Sequence, residues 1–517
     1  MSDLPAARLW FDRLEHWAQT QPDAMCIAYE DQRWTWAEWR DRVHRLAGAL
    51  AAAGVRRGDR VASLDMNNLS TVEVTNAVSL LGAAHVIVNF RLFGDQLAYV
   101  LSDSAPRLVL VGADFVPNLD AVRSAVPSIE RVVVVGGDAD EYQPWVASSS
   151  PVDADPAVDP EDVVLVMYSS GTTGFPKGVM LSHRAMNAHS EHLNEHFRFA
   201  PGVTSLAAMP LFHVGGTSYT QVGMHWGAST VLLREVQPGA MFQAIGAGAT
   251  RLFLVPAVVA GVLAGGDAAI AAFSKLECFA YGASPMPLPM LRKALDTWPG
   301  IEFSQVYGMT EFGGVVTSLS PAAHRDADHP ERLTSAGTPL EGVEVRVVDP
   351  TTLQDVEAGT TGELWFRTDQ VMTGYLGNPK ATAETITPDG WLRTGDLGRV
   401  DDGGFVYVLD RIKDMIISGG ENVYSPEVEN VIAAHPQVAE VAVFGVPHPV
   451  WVESVYAVVA PKPGEVIDPD EVIAFTRERL AHYKCPSSVE VVEALPRNAS
   501  GKILKRDLKA PHWAEHG

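Results

Sequence analysis

The stretch that most constrains this chain is Tyr168-Ser169-Ser170-Gly171-Thr172-Thr173-Gly174-Phe175-Pro176-Lys177-Gly178. It begins where the apolar run 163–167 ends, and it leads into a second run, Val179-Met180-Leu181. Short apolar runs bounded by turn residues read as buried strands, so the loop between them stands on a rigid support. Gly171 and Gly174 let the backbone turn sharply and come close to oxygen atoms. The hydroxyls of Ser169, Ser170, Thr172 and Thr173 add donors, and Lys177 adds a positive charge. Together these parts make a cradle for polyphosphate. The loop is not a Walker A sequence, which needs Gly-Lys followed by Ser or Thr at the start of a helix. Here Pro176 precedes the lysine, Gly178 follows it, and a strand continues.

A chain of 517 residues is too long for one hydrophobic core and implies at least two domains. Its 47% hydrophobic and 20% charged residues are ordinary for a soluble globular protein. No apolar run approaches the length that crosses a bilayer, and Met1-Ser-Asp-Leu-Pro5 lacks the basic-then-apolar pattern of a secretory signal. Cys26, Cys278 and Cys485 are isolated and lack metal-ligand spacing, which fits a reducing cytoplasm. The net charge of −24 argues against nonspecific binding to nucleic acid or anionic membranes. Any site for an anionic ligand must therefore concentrate positive charge locally, so lysines and arginines inside motifs carry extra weight.

The amino-terminal region alternates strand and helix signals. Residues 25–30 and 60–64 read as strands, as do residues 84–88. Thr35-Trp36-Ala37-Glu38 reads as a capping box opening a helix with Trp36, Trp39, Val43, Leu46 and Leu50 on one face, closed by Gly54. Ser70-Thr71-Val72-Glu73 reads as a second capping box, on a helix that stops at Gly82. This βαβ rhythm predicts a mostly parallel sheet with helices on its faces, and its tryptophans read as core. A proline-rich connector at 148–160 leads into the phosphate loop. The last hundred residues differ: helix near 426–432, strands at 438–446 and 453–460, helix at 470–481 and strand at 488–492. That is a small α+β unit. The boundary falls at Asp410-Arg411-Ile412-Lys413-Asp414.

Other short segments carry polar residues in suggestive settings: Met209-Pro210-Leu211-Phe212-His213-Val214-Gly215-Gly216, Tyr281-Gly282-Ala283-Ser284 and Gln305-Val306-Tyr307-Gly308-Met309-Thr310-Glu311. Later come Trp391-Leu392-Arg393-Thr394-Gly395-Asp396, Ser418-Gly419-Gly420 and Arg497-Asn498-Ala499-Ser500-Gly501-Lys502. Read one at a time, each is a turn, a solvated loop or a satisfied core histidine. Read in order along nearly the whole chain, they resemble the adenylate-forming superfamily of acyl- and aryl-CoA synthetases, luciferases and peptide-synthetase adenylation domains.

The resemblance implies an α/β fold. A large amino-terminal domain, 1–410, would have several sheets in αβαβα-type layers and a small barrel. A hinge at 411–414 and a small mobile α+β lid, 415–517, would follow. It implies an ATP-dependent acid–CoA ligase that joins an apolar carboxylic acid, fatty or aromatic, to AMP and then to CoA. On this pattern ATP lies against 169–174, Lys177, Ala283, Ser284, Gln305, Val306, Gly308 and Met309. Tyr307 stacks on adenine, Thr310 bonds the α-phosphate, and Glu311 with Ser169 holds Mg²⁺, which takes most of its octahedron from phosphate and water. Asp396 and Arg411 hold the ribose, Lys413 sits at the hinge, and Lys502 bridges the substrate carboxylate and the α-phosphate. His213, Gly215, Tyr219, Tyr281 and Gly282 line the acyl side, with 253–256 and 306–315. Gly419 and Gly420 admit the pantetheine arm of CoA after the lid rotates. Lys502, Glu311, Lys177 and His213 are the expected catalytic set. No arginine or lysine is placed to pair a second charge on the acid.

The sequence departs from the family pattern at Ser169-Ser170, where Thr-Ser is commoner, and at His448 and Val452, where many relatives carry Asp and Gly. The second departure bears on local loop geometry and on contacts to the CoA nucleotide. An alternative within the family is an adenylation enzyme that loads a separate carrier protein. The chain ends without a carrier domain, which favours free CoA. A luciferase-type oxygenase would need a substrate that the sequence does not reveal. A catalytically silent regulator would normally lose Lys502 or Glu311, and both are present. The expected partners are the acid, ATP and CoA, with room for a homodimer and with neither nucleic acid nor an integral membrane segment.

Overall fold

The computed structural model describes residues 4–169, 176–497 and 503–513. The expectations for Ser170, Gly171, Thr172, Thr173, Gly174 and Lys502 lie outside the described residues. The strands Arg60–Leu64, Ala84–Ile87, Leu108–Gly112, Arg131–Val135 and Val163–Ser169 pair in parallel and make up five strands of a seven-stranded sheet, with Arg131–Val135 at one edge. Helices connect them in sequence, as the alternating pattern predicts. Lys177–Ser182 returns antiparallel on Val163–Ser169, with Tyr168 opposite Gly178 and Ser169 opposite Lys177. Ser169 thus sits at the carboxyl end of a central strand, where open α/β sheets present ligands.

A nine-stranded sheet is built mainly from the parallel strands Thr204–Ala207, Ser229–Leu232, Arg251–Leu254, Cys278–Gly282 and Glu302–Met309. Gly314–Leu319 then folds back antiparallel on Glu302–Met309. The region expected as a small barrel is a four-stranded antiparallel sheet of Glu344–Val348, Gly362–Arg367, Leu392–Val400 and Val406–Arg411. A fourth, five-stranded sheet, within 416–491, has its own core around Ile416, Val423, Val428, Ile432, Val443 and Val459. Among the described residues no helix is long and apolar enough to cross a membrane.

Local rules explain much of the entry into this fold, with one exchange. Thr35 and Glu38 form the predicted capping box: Glu38 N donates to Thr35 Oγ1 at 3.2 Å and Thr35 N to Glu38 Oε2 at 2.8 Å. Trp36, Trp39, Val43, Leu46 and Leu50 are buried behind it. The second predicted box does not form. Asn68 caps the helix Leu69–Leu80 instead, its Oδ1 accepting from Ser70 N at 3.1 Å. Glu73 is fully buried, paired with Arg42 at 2.7 Å and accepting from the Tyr142 hydroxyl at 2.6 Å. Leaving a buried carboxylate unpaired costs about 3–5 kcal/mol, whereas a cap is worth about 1, so the pairing decides where Glu73 goes.

In the carboxyl-terminal unit the predicted helix at 470–481 ends early, as Pro469–Arg477, followed by a single turn at His482–Lys484. Pro486 cannot continue a helix and biases Cys485 towards extended backbone. That delivers Ser488–Val491 to pair in parallel with Val452–Pro461.

Four buried histidines tie stability to pH. Burial lowers His85 and His189 to about 3, and His183 and His324 to about 4. Between those values and the ordinary 6.5, the unfolded chain binds protons that the fold does not. Stability is therefore fully present above about 6.5 and falls with acidification, by about 1.4 kcal/mol per pH unit for each such group. We expect the urea midpoint to drop steadily from pH 6.5 to 4, and His85→Gln to make that decline shallower. A midpoint that stays flat across the window would contradict this.

Candidate active site

Three side chains from three strands meet at one end of the candidate site. Asp396 is buried, and its Oδ1 lies 2.6 Å from Arg411 Nε. Its Oδ2 accepts from the Tyr307 hydroxyl at 2.6 Å, while its backbone N–H donates to Thr394 Oγ1. Asp396 and Arg411 are directly opposite each other in the antiparallel pairing of Leu392–Val400 with Val406–Arg411. Tyr307 comes from Glu302–Met309 in the nine-stranded sheet. Burial disfavours charge on Arg411, but Asp396, Tyr307 and Glu311 more than offset it and raise its pKa. Burial, then Asp396, holds the Tyr307 phenol well above its ordinary value, so it stays a donor. This corner offers an aromatic face, a fixed carboxylate and a fixed cation.

Glu311 starts the second cluster. It sits in the turn Thr310–Phe312 between Glu302–Met309 and Gly314–Leu319 and is almost fully buried. Its backbone carbonyl accepts from Met372 N at 2.8 Å, and Gln370 Nε2 donates to the carbonyls of Phe312 and Val315. Its Oε1 accepts from the Tyr375 hydroxyl at 2.8 Å. Lys177 Nζ stands 4.6 Å from the centroid of the same Tyr375 ring. Burial raises the Glu311 carboxyl above its usual range, while Tyr375, Arg411 and Lys177 pull it down.

Among the described residues Glu311 has no ion-pair partner in contact, and no cage of three or more His, Cys, Asp or Glu is assembled there or elsewhere. A single buried carboxylate held in place fits Mg²⁺ that brings its own phosphate and water oxygens, and does not fit a closed all-protein site.

The remaining nucleotide-side residues fall along the same edge. Gln305, Val306, Gly308 and Met309 lie at the carboxyl end of their strand, and Thr310 opens the turn. Ala283 and Ser284 follow Cys278–Gly282, with Ala283 at φ +64°. Left-handed backbone in a residue with a Cβ costs about 1–3 kcal/mol and is typical of functional loops. Ser169 lies opposite Lys177 at the mouth of its hairpin.

On the acyl side, His213 precedes the helix Val214–His225, and Gly215 and Gly216 form its first turn. The His213 ring packs against Phe212 at 4.2 Å, and its Nε2 has no partner among the described residues. Burial, helped by Arg91, lowers its pKa to about 4, so at neutral pH it is uncharged. Tyr219 lies one turn beyond Gly215 and is buried. Tyr281 and Gly282 end the strand Cys278–Gly282, but the Tyr281 hydroxyl is already bonded to His324 Nε2 at 2.8 Å.

At the boundary segment Ile412 N donates to Gly395 O, and burial, with Arg411 and Arg506, lowers the Lys413 pKa while Asp414 opposes the shift. Asp410 faces the other way: its Oδ2 accepts from both the backbone N and the hydroxyl of Ser425. Gly419 and Gly420 form the two-residue turn between Ile416–Ser418 and Glu421–Val423, at φ +62° and +89°, a turn that favours glycine at both positions. Gly419 N donates to Trp451 O at 2.9 Å, so the turn packs against its own unit.

The structure thus brings together Tyr307, Glu311, Lys177, Asp396 and Arg411, and separately His213, Gly215 and Tyr219. Sequence reasoning missed Tyr375, which touches both Glu311 and Lys177. The signal was a tyrosine directly after Gly374, whose φ of +147° lets the short strand Gly374–Tyr375 pair with Lys177–Ser182.

This arrangement sets an aromatic ring and two cations beside two buried carboxylates. Residues 14–376 match the AMP-binding enzyme family and residues 427–502 match the AMP-binding enzyme C-terminal domain, so the chain belongs to the AMP-binding enzymes. It is 38% identical over 494 residues to a feruloyl-CoA synthase from Amycolatopsis sp, covering 95% of this chain and 96% of that one. It is 35% identical over 504 residues to the fatty acid–[acyl-carrier-protein] ligase ScoC of Streptomyces coeruleorubidus, covering 96% and 95%. Among solved structures it resembles o-succinylbenzoate CoA synthetase (MenE) from Bacillus subtilis in complex with its acyl-adenylate intermediate. That match has a TM-score of 0.84 and 31% identity, over 96% of this chain and 97% of that one.

Removing the hydroxyl that lowers the Glu311 pKa has a signed consequence. In Tyr375→Phe the carboxyl becomes harder to ionise, so the acid limb of the pH–rate profile moves to higher pH. An acid limb that stays put would show that Glu311 ionisation does not govern activity.

Proposed function

We propose that this chain is an AMP-forming acid–CoA ligase acting on an apolar carboxylic acid, aromatic or fatty. The observation that carries the reading is the joint placement of Asp396, Arg411 and Tyr307 with Glu311 and Lys177. One group suits a nucleoside and the other a polyphosphate. The naming of relatives as CoA ligases supports it.

A free carboxylate is a poor acyl donor because its leaving group is oxide or hydroxide. In the first step a carboxylate oxygen attacks the α-phosphorus of ATP, the bond to the bridging oxygen breaks, and pyrophosphate leaves. In the second step the thiol sulfur of CoA attacks the acyl carbon, the bond to the AMP oxygen breaks, and the thiol proton passes to solvent. Most of the rate comes from positioning and charge stabilisation. On this reading Tyr307 stacks on adenine, Asp396 accepts from the ribose hydroxyls, and Arg411 holds Asp396 in place. Lys177 and Thr310 hold phosphate oxygens. Glu311 with Ser169 would hold Mg²⁺, which neutralises charge on the phosphates. Neutral His213 lines the point where acid and thiol meet, without acting as a base.

We take 1–410 and 415–517 as units that rotate about 411–414 between the two steps, withdrawing Lys502 and presenting Gly419 and Gly420. The three free, buried cysteines fit a reducing cytoplasm. A second reading, transfer to a carrier protein, is favoured by the likeness to the carrier-protein ligase, and offering CoA and a carrier side by side separates the two.

Lys502→Ala should abolish carboxylate-dependent pyrophosphate exchange while leaving thiolysis of supplied acyl-AMP largely intact. Equal loss of both half-reactions would count against two separate arrangements.

A further inference from the structure

The turn that carries Glu311 is gripped by side chains from two other segments. Gln370 is fully buried, and its Nε2 donates to Phe312 O at 3.0 Å and to Val315 O at 2.6 Å. Carbonyl oxygens only accept, so the amide nitrogen must face them and Oε1 must face away. Oε1 meets His192 Nδ1 at 3.0 Å, and that nitrogen therefore carries the proton and donates. His189, three residues earlier on the helix His183–Phe197, shares this face. Its Nε2 accepts from Val315 N at 3.1 Å. Glycine is required at 314, where φ is +143° and an added Cβ would lie 2.6 Å from His189 Nε2. The turn is thus pressed onto the helix.

Gln370 also opens a short strap, 370–376, that ends on the hairpin of Lys177. Met372 N donates to Glu311 O at 2.8 Å, and the Tyr375 hydroxyl donates to Glu311 Oε1 at 2.8 Å. Thr373 N then donates to Met180 O and Leu376 N to Gly178 O, on either side of the pairing of Gly374 with Met180 and Tyr375 with Val179. Glu311 follows a strand of the nine-stranded sheet, and Lys177 opens a strand of the seven-stranded one. The strap ties the two together.

Mg²⁺ demands a near-ideal octahedron and takes few protein ligands. Where one carboxylate serves, the aim of that carboxylate decides how well the metal is held. Tyr375 fixes one of its oxygens. The direction of its stem is set by the backbone of the turn, which Gln370 holds on both sides of Gly313 and Gly314.

Resting on the ligase reading above, we propose that Gln370 is a positioning residue for Mg²⁺: by holding the carbonyls of Phe312 and Val315 it aims Glu311 at the metal that accompanies ATP. Gln370 acts through Glu311 alone. His192 orients its amide, and His189 holds the far side of the same turn. Losing a partner that orients a metal ligand commonly costs about 10–100-fold in metal affinity.

The test measures ATP binding to the full-length enzyme by titration calorimetry, without acid or CoA, in Mg²⁺ and again in EDTA. The readout is the Mg²⁺-dependent gain, the ratio of the two Kd values. Gln370→Met keeps the length of the side chain and removes its donors. It should cut the gain about tenfold and leave Kd in EDTA unchanged. His192→Phe takes away the donor that orients the amide and should cut the gain less. A side chain that served packing alone would lower the thermal midpoint and leave the ratio at its wild-type value. A folded Gln370→Met enzyme with the wild-type gain overturns the proposal. Should that variant not fold, a wild-type gain in His192→Phe overturns it. Glu311→Gln should abolish the gain. If Glu311→Gln keeps it, Glu311 does not hold the metal, and that part of the ligase reading falls along with the proposal.

Discussion

The contact between Asp396 and Arg411 is the one on which the site depends. A buried ion pair gains little net stability, because the cost of desolvating two charges offsets most of their attraction. This pair is held by a direct cross-strand register, and its second carboxylate oxygen is fixed by Tyr307 from another sheet. It therefore joins the four-stranded sheet to the nine-stranded one where the chain leaves for its last unit. The next residue back, Asp410, bonds Ser425 of that unit. Neighbouring side chains thus bind opposite sides of the boundary, and a movement there must break one set of contacts or the other.

The same corner answers how a chain with a net charge of −24 could hold a polyanion. Lys177 and Arg411 both act on the Glu311 carboxyl, and Asp396 in turn holds charge on Arg411. The result is a small region in which two cations, Arg411 and Lys177, stand beside two buried carboxylates, Asp396 and Glu311. Fixed charges in a partly desolvated site are worth more than mobile ones on the surface. The acyl side is the opposite: His213 is neutral, and Tyr219 sits among phenylalanines. Polar and apolar side-chain clusters are thereby kept apart.

Features set by local rules were readable in the sequence. The hairpin that carries Ser169 and Lys177, the Thr35–Glu38 box and the alternating strands all follow from neighbours in the chain. What was not readable depends on distant partners. Glu73 abandons its local cap because Arg42 and Tyr142 meet it in the interior. Tyr375 reaches Glu311 only because Gly374 lets a two-residue strand join the phosphate hairpin. The helix that starts at Pro469 stops at Arg477, and Pro486 turns Cys485 extended so that Ser488–Val491 joins a sheet formed with an earlier strand. For the site, the motifs supplied the residue types, and the fold supplied the contacts between them, such as Tyr307 with Asp396 from two different sheets.

The most direct measurement of the central claim follows one oxygen atom. A carboxylic acid labelled with heavy oxygen in its carboxyl group is turned over with ATP and CoA, and the AMP is weighed by mass spectrometry. If carboxyl oxygen becomes bonded to phosphorus, AMP must carry one labelled oxygen and the acyl-CoA must keep the other. AMP that forms without label would mean that the acid is activated by some other route, and the account given for Asp396, Arg411, Glu311 and Lys177 would fail with it.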